Sequence, residues 1–182
     1  MTKLKALVLA SLTAAATFTA SAVDANPFKF AGMKRYTADD FSHPTVKQIA
    51  NHLERIGVPI LDGLANGYKQ CLPQQGGMVA LGFYSPEYNM MVLCTNNGGP
   101  NAMVSTLIHE ATHTIQDCRA GLHNSKMDRS RLAPAYAASL SPREVYLVRG
   151  HYPANQHDHE FEARFNERNP QRVVTGLAKY CR

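Results

Sequence analysis

Thr106-Leu107-Ile108-His109-Glu110-Ala111-Thr112-His113-Thr114-Ile115-Gln116 contains the pattern H-E-x-x-H. On a helix, residues four apart are neighbours on one face, so His109 and His113 can hold one metal ion between them. Glu110 falls about 100° round the helix, beside the ion and not on it, where a carboxylate can act as base on a metal-activated water. Zn²⁺ is the cation this motif suits, and hydrolysis is the chemistry it points to. A bare five-residue match arises by chance, so the flanking sequence has to supply the context. Val104, Leu107, Ile108, Ala111 and Ile115 recur at the helical period and form a core-facing stripe. The histidines lie on the opposite side with Thr106 and Gln116, which predicts one packed face and one face lining a cleft. Pro100-Asn101 can start the helix and Gly121 can end it.

The elements that must hold this helix are legible in part. Pro44 to Ile56 reads as a helix, with Val46, Ile49, Ala50, Leu53 and Ile56 in period, Pro44 in the first turn and Gly57 beyond the end. His43 and His52 flank or sit on it as structural or surface residues. Met78 to Tyr84 and Tyr88 to Thr95 read as two strands joined at Ser85-Pro86-Glu87. Leu122 to Leu140 reads as a loose, Ala-rich connection. Ser141-Pro142-Arg143-Glu144 is a capping box that starts a short helix to about Arg149, and Gly150-His151-Tyr152-Pro153 breaks it. Pro170 to Cys181 closes the chain as a helix with Val173, Val174, Leu177 and Ala178 on one face.

Residues 1–22 have the marks of a signal peptide: Lys3 and Lys5, an apolar stretch from Leu4 to Ala20, and an Ala20-Ser21-Ala22 cleavage site, with a later cut near Ala25 as the alternative. Residues 23–182 then form one exported domain, secreted or periplasmic, with no stable membrane anchor. Two of the basic residues behind the net charge of +5 lie in the signal, and the rest are scattered, so a nucleic-acid role has no support. Cys71, Cys94, Cys118 and Cys181 are an even set in an exported chain and read as two disulfides. Cys94 and Cys118 flank a helix roughly 25 Å long, too far apart for a bond that needs Cα atoms within about 7 Å. Cys71–Cys94 with Cys118–Cys181 is the favoured pairing.

A catalytic zinc usually takes a third protein ligand and leaves a position for water. The segment His157-Asp158-His159-Glu160-Phe161-Glu162-Ala163-Arg164-Phe165-Asn166 offers two carboxylates, Glu160 and Glu162, on either side of a core face marked by Phe161 and Phe165. Periodicity alone does not choose between them. His123, ten residues after His113, is a rival ligand. His151, His157 and His159 read as exposed, and Asp158 as a residue that orients a zinc histidine at most. Tyr136, Tyr146 and Tyr152 are unranked candidates to donate to an oxyanion.

With H-E-x-x-H followed by a glutamate on a later helix, the chain resembles the gluzincin metallopeptidases. Glu160-Phe161-Glu162-Ala163 fits the E-x-x-A that carries the third ligand in several of those families, which favours Glu160 over Glu162. Arg164 departs from the pattern, because the usual residue there accepts a hydrogen bond from a zinc histidine and arginine cannot accept. Glu162 with Asn166 would restore such an acceptor. A narrower likeness joins Gly82-Phe83-Tyr84, Val92 to Asn96, His109 to His113 and Asp117-Cys118-Arg119 to the mitochondrial ATP-synthase-processing metallopeptidases, with Ala111 in place of a bulky apolar residue. The resemblance implies a zincin-like α+β fold, a small sheet with an edge hairpin packed on the active-site helix and a mainly helical C-terminal half. It also implies that the strand Asn89 to Cys94 runs along the cleft, able to pair with an extended peptide. An ordinary buried hairpin with methionine as filler is the alternative.

The expected activity is cleavage of a peptide or protein substrate by water, with His109, His113 and Glu160 on zinc and Glu110 as base. Two other classes stay open: a non-catalytic exported protein with a structural zinc, and a disulfide-stapled domain with no metal.

Overall fold

In a computed structural model of the chain, residues 30–73, 79–121 and 133–182 are described. The signal segment, Met78 and His123 lie outside them, so the readings of those residues are neither met nor overturned. Helix α1 (Pro44–Arg55) forms as its periodicity predicts, burying Val46, Ile49, Ala50 and Leu53. Helix α2 (Gly99–Ala120) carries the motif, with proline in its first turn. It ends at Gly121, whose φ of 102° lets its N–H reach back to the carbonyls of Asp117 and Cys118.

Among the described residues four short strands make one mixed sheet: β1 (Arg35–Tyr36), β2 (Ile60–Asp62), β3 (Gly82–Ser85) and β4 (Met90–Leu93), in the order β1-β2-β4-β3. β2 and β4 run parallel, while β1–β2 and β3–β4 pair antiparallel. The last strand before the motif helix is therefore not at the edge. All four β4 residues are buried, and an apolar run of that kind is accommodated where both sides of the strand are paired. The edge next to β4 is β3, which packs against α2. Gly82 allows that approach: a Cβ there would lie 2.5 Å from Thr106 Cγ2 and 2.6 Å from the Val92 carbonyl oxygen.

The C-terminal half is helical: α3 (Ala133–Ser139), α4 (Pro142–His151), α5 (His157–Glu167) and α6 (Pro170–Tyr180). The Ser141 hydroxyl accepts the Glu144 N–H and the Glu144 carboxylate accepts the Ser141 N–H, the reciprocal cap expected from the sequence. Part of the stretch read as a loose connection is helix α3. Burying Tyr136 with Leu140, Val148, Tyr152 and Phe161 in a small apolar cluster stabilises it.

The main core joins the sheet to three helices. Leu107, Ile108, Ala111 and Ile115 of α2 meet Val46, Ile49 and Leu53 of α1 and Val173 and Leu177 of α6. The opposite face of α2 does not line an open cleft. From Thr106 to Cys118 every residue is buried, because α5 lies across the polar side. Cys71–Cys94 ties a 3-10 turn (Lys69–Cys71) to the end of β4, and Cys118–Cys181 ties the end of α2 to the end of α6. Both match the favoured pairing. Two disulfides point to an oxidising, extracytoplasmic setting. Among the described residues no helix is long and apolar enough to cross a membrane.

Candidate metal centre

His109 and His113 project from one face of α2, one turn apart, with ring centroids 4.9 Å from each other. Helix α5 brings Glu160 to them. Its Oε2 lies 3.3 Å from His109 Nε2 and its Oε1 lies 3.3 Å from His113 Nε2. One ligand atom from each of the three residues falls within 4.8 Å of the others, and the residues are 0, 0 and 1 % exposed. Glu162, two positions on, is turned away. Arg119 grips its carboxylate with two hydrogen bonds of 3.0 and 2.6 Å, and the Gln116 amide donates to it at 3.0 Å. A helical step of about 100° per residue separates the two glutamates by some 200°, and the packing of α5 on α2 decides which faces the histidines.

The far nitrogens of both imidazoles are held. His109 Nδ1 lies 2.6 Å from Glu167 Oε1, and His113 Nδ1 lies 2.8 Å from Gln116 Oε1. Both partners are acceptors, so each Nδ1 carries a proton and each neutral ring leaves its Nε2 lone pair towards Glu160. With the rings neutral and protonated at Nδ1, His113 Nε2 and Glu160 Oε2 are buried and meet only other lone pairs across the 3.3 Å contacts. Acceptors converging in a dry interior repel unless a cation stands among them, and a metal ion fits that requirement. Without a metal, protons must do the same work. Burial alone would lower His109, but bonds to Glu160 and Glu167 and their charges lift it to about 10. Burial would raise Glu160, yet the two imidazoles hold it well below the carboxylate range.

Glu110 completes the group. It is 0 % exposed and neither carboxylate oxygen has a partner. Burial pushes its carboxyl up, against the pull of the neighbouring imidazoles and of the Tyr84 backbone N–H.

Two residues of this centre were missed in the sequence. Glu167 lies seven positions after Glu160, two helical turns, and so on the same face of α5. Arg164 sits between them in sequence and holds Glu167 at 3.1 Å. Arg164 thus steadies the acceptor that holds His109 Nδ1. Gln116, three positions after His113, carries the same helical signal. Asn166 does not take the acceptor role; its amide points to the Thr112 hydroxyl at 3.4 Å. Of the other candidates, His157 Nε2 donates to the Tyr152 carbonyl at 2.9 Å, and His159, read as exposed, is buried with its carbonyl accepting from Gln116 at 3.0 Å. His151 and Tyr146 are exposed, and the Tyr136 hydroxyl accepts from Arg172 at 3.2 Å. No known protein family matches the chain, and neither does any curated protein or solved structure.

Proposed function

We propose that this chain is an exported zinc-dependent metallopeptidase in which His109, His113 and Glu160 hold the metal and Glu110 is the base. The observation that carries the reading is the set of buried acceptor atoms without partners: His113 Nε2 and Glu160 Oε2, with both oxygens of Glu110 alongside. Two neutral imidazoles and one carboxylate are a donor set that suits Zn²⁺ and leaves a coordination position open. Bound zinc would supply a Lewis acid that brings the pKa of a water to about 7 and polarises a carbonyl.

The chain's own residues would do the rest. Glu110, buried beside the two histidines, would take a proton from the attacking water and give it to the amine as the C–N bond breaks. A purely structural zinc has no use for a buried, unpaired carboxylate at its side, and such a group costs stability.

A second reading has an observation of its own. His109, Glu110 and His113 are all 0 % exposed, as in a closed metal site that only braces two helices. Elemental analysis of the mature protein and a peptide-library assay separate the two. The peptidase reading expects about one zinc per chain, lost in His113→Ala and Glu160→Ala. It also expects Glu110→Gln to keep the metal and lose activity by roughly 10²–10⁴-fold. About one zinc per chain, lost in the same two variants, with no hydrolysis in the wild type supports the closed site. No metal in the wild type, even with zinc offered, removes both.

A further inference from the structure

Gln116 lies on α2 three residues beyond His113 and is fully buried. Its amide nitrogen donates at 3.0 Å to the His159 carbonyl and at 3.0 Å to Glu162 Oε2. Neither atom can donate in return, so the amide has one permitted orientation, nitrogen towards α5 and oxygen towards His113. That oxygen lies 2.8 Å from His113 Nδ1. An amide turned the other way would set its oxygen against two acceptors and its NH₂ against the imidazole. The His113 proton would then move to Nε2 and block the lone pair that faces Glu160. Glu162 is itself fixed by the two-pronged grip of Arg119, at 3.0 and 2.6 Å.

We propose that Gln116 is a positioning residue for metal capture: anchored through Glu162 and Arg119, it holds His113 in the one tautomer and ring orientation that presents Nε2 to the ion. The inference rests on the metal-centre reading above. It assigns the two histidines different supports. His109 is backed directly by a carboxylate, Glu167, whereas His113 is backed by a neutral amide whose direction a part-buried ion pair dictates. Glu162, the losing candidate for third ligand, acquires a role in the same centre one step further from the ion. Support of this kind is commonly worth 10–100-fold in metal affinity.

The test measures zinc affinity of the metal-free, folded protein by competition with a chromophoric chelator, alongside the melting temperature of each metal-free form. Gln116→Met keeps the volume and removes the acceptor, and is expected to weaken zinc about 10–100-fold. A merely structural Gln116 would lower the melting temperature and leave the affinity of the folded protein alone. Gln116→Met that folds and binds zinc as tightly as wild type overturns the proposal. Should that variant fail to fold, the ¹⁵N spectrum of the zinc-loaded wild type decides. His113 protonated at Nδ1 and bound through Nε2 supports the relay, and the reverse overturns it. Wild type that takes up no zinc is a separate failure, which removes the metal centre itself and the relay with it.

Discussion

Glu110 is the residue whose chemistry and whose energetic cost have the same origin. A carboxylate shut away from water without a partner is tolerated if it stays protonated or if a nearby positive charge offsets it. In the metal-free protein its pKa is raised by burial, above that of an unfolded carboxyl. Above the unfolded pKa of about 4.3 the unfolded chain releases that proton while the folded chain still binds it. Folding stability therefore falls as pH rises from there to the raised value. Glutamine has nothing to lose in this window. With chelator present, Glu110→Gln should match wild type near pH 4 and exceed it by roughly 1–3 kcal/mol at pH 8, read from denaturant unfolding at each pH. Equal stability at pH 8 would mean that the carboxylate is satisfied after all. On the proposed peptidase reading the same variant loses activity, so stability and activity would move in opposite directions at one atom group.

At the scale of elements, contact between β3 and α2 depends on Gly82. A methyl group there meets Thr106 Cγ2 and, less forgivingly, the backbone oxygen of Val92. Gly82→Ala should cost about 1–3 kcal/mol in thermal unfolding, since backbone cannot swing aside as a side-chain tip can. An unchanged melting temperature would show that the strand is free to lift. This contact also marks where sequence reasoning ran out. Helices α1, α2, α4 and α6 were legible because period, caps and breakers agree within each segment, as at Ser141 and Glu144 or Pro44 and Gly57. Strands β1 and β2 were not, because two- and three-residue strands carry too little alternation to stand out. The position of β4 within the sheet depends on its parallel pairing with β2, a contact some thirty residues distant in sequence. The histidine pair and Glu110 could be read from one helix, but Glu160 and Glu162 could not be separated until α5 was placed across α2. Glu167 and Gln116 obeyed the same helical spacing, yet the spacing identifies a partner only once the facing helix is known.

Over the whole molecule, the two disulfides divide the work unequally. Cys71–Cys94 spans 23 residues and closes a local unit, joining Leu61, Phe83 and Val92 in a small apolar cluster on the sheet. Cys118–Cys181 spans 63 residues and fastens the chain's end to the motif helix, inside the main core. Loop-closure entropy alone gives about 3 kcal/mol for the shorter link and about 4 kcal/mol for the longer. Location adds to the difference. Cys118 directly precedes Arg119, whose grip on Glu162 fastens α5 to α2, so freeing this end of the helix loosens the centre as well as the fold. Removing the Cys71–Cys94 pair by alanine substitution should lower stability and leave zinc affinity of the folded protein close to wild type. Removing Cys118 with Cys181 should lower stability further and weaken zinc binding too. Parallel chemical denaturation and chelator competition on the two double variants would check both halves. If the Cys71–Cys94 variant lost the metal and the Cys118–Cys181 variant kept it, the centre would depend on the sheet and not on the packing of α5 against α2.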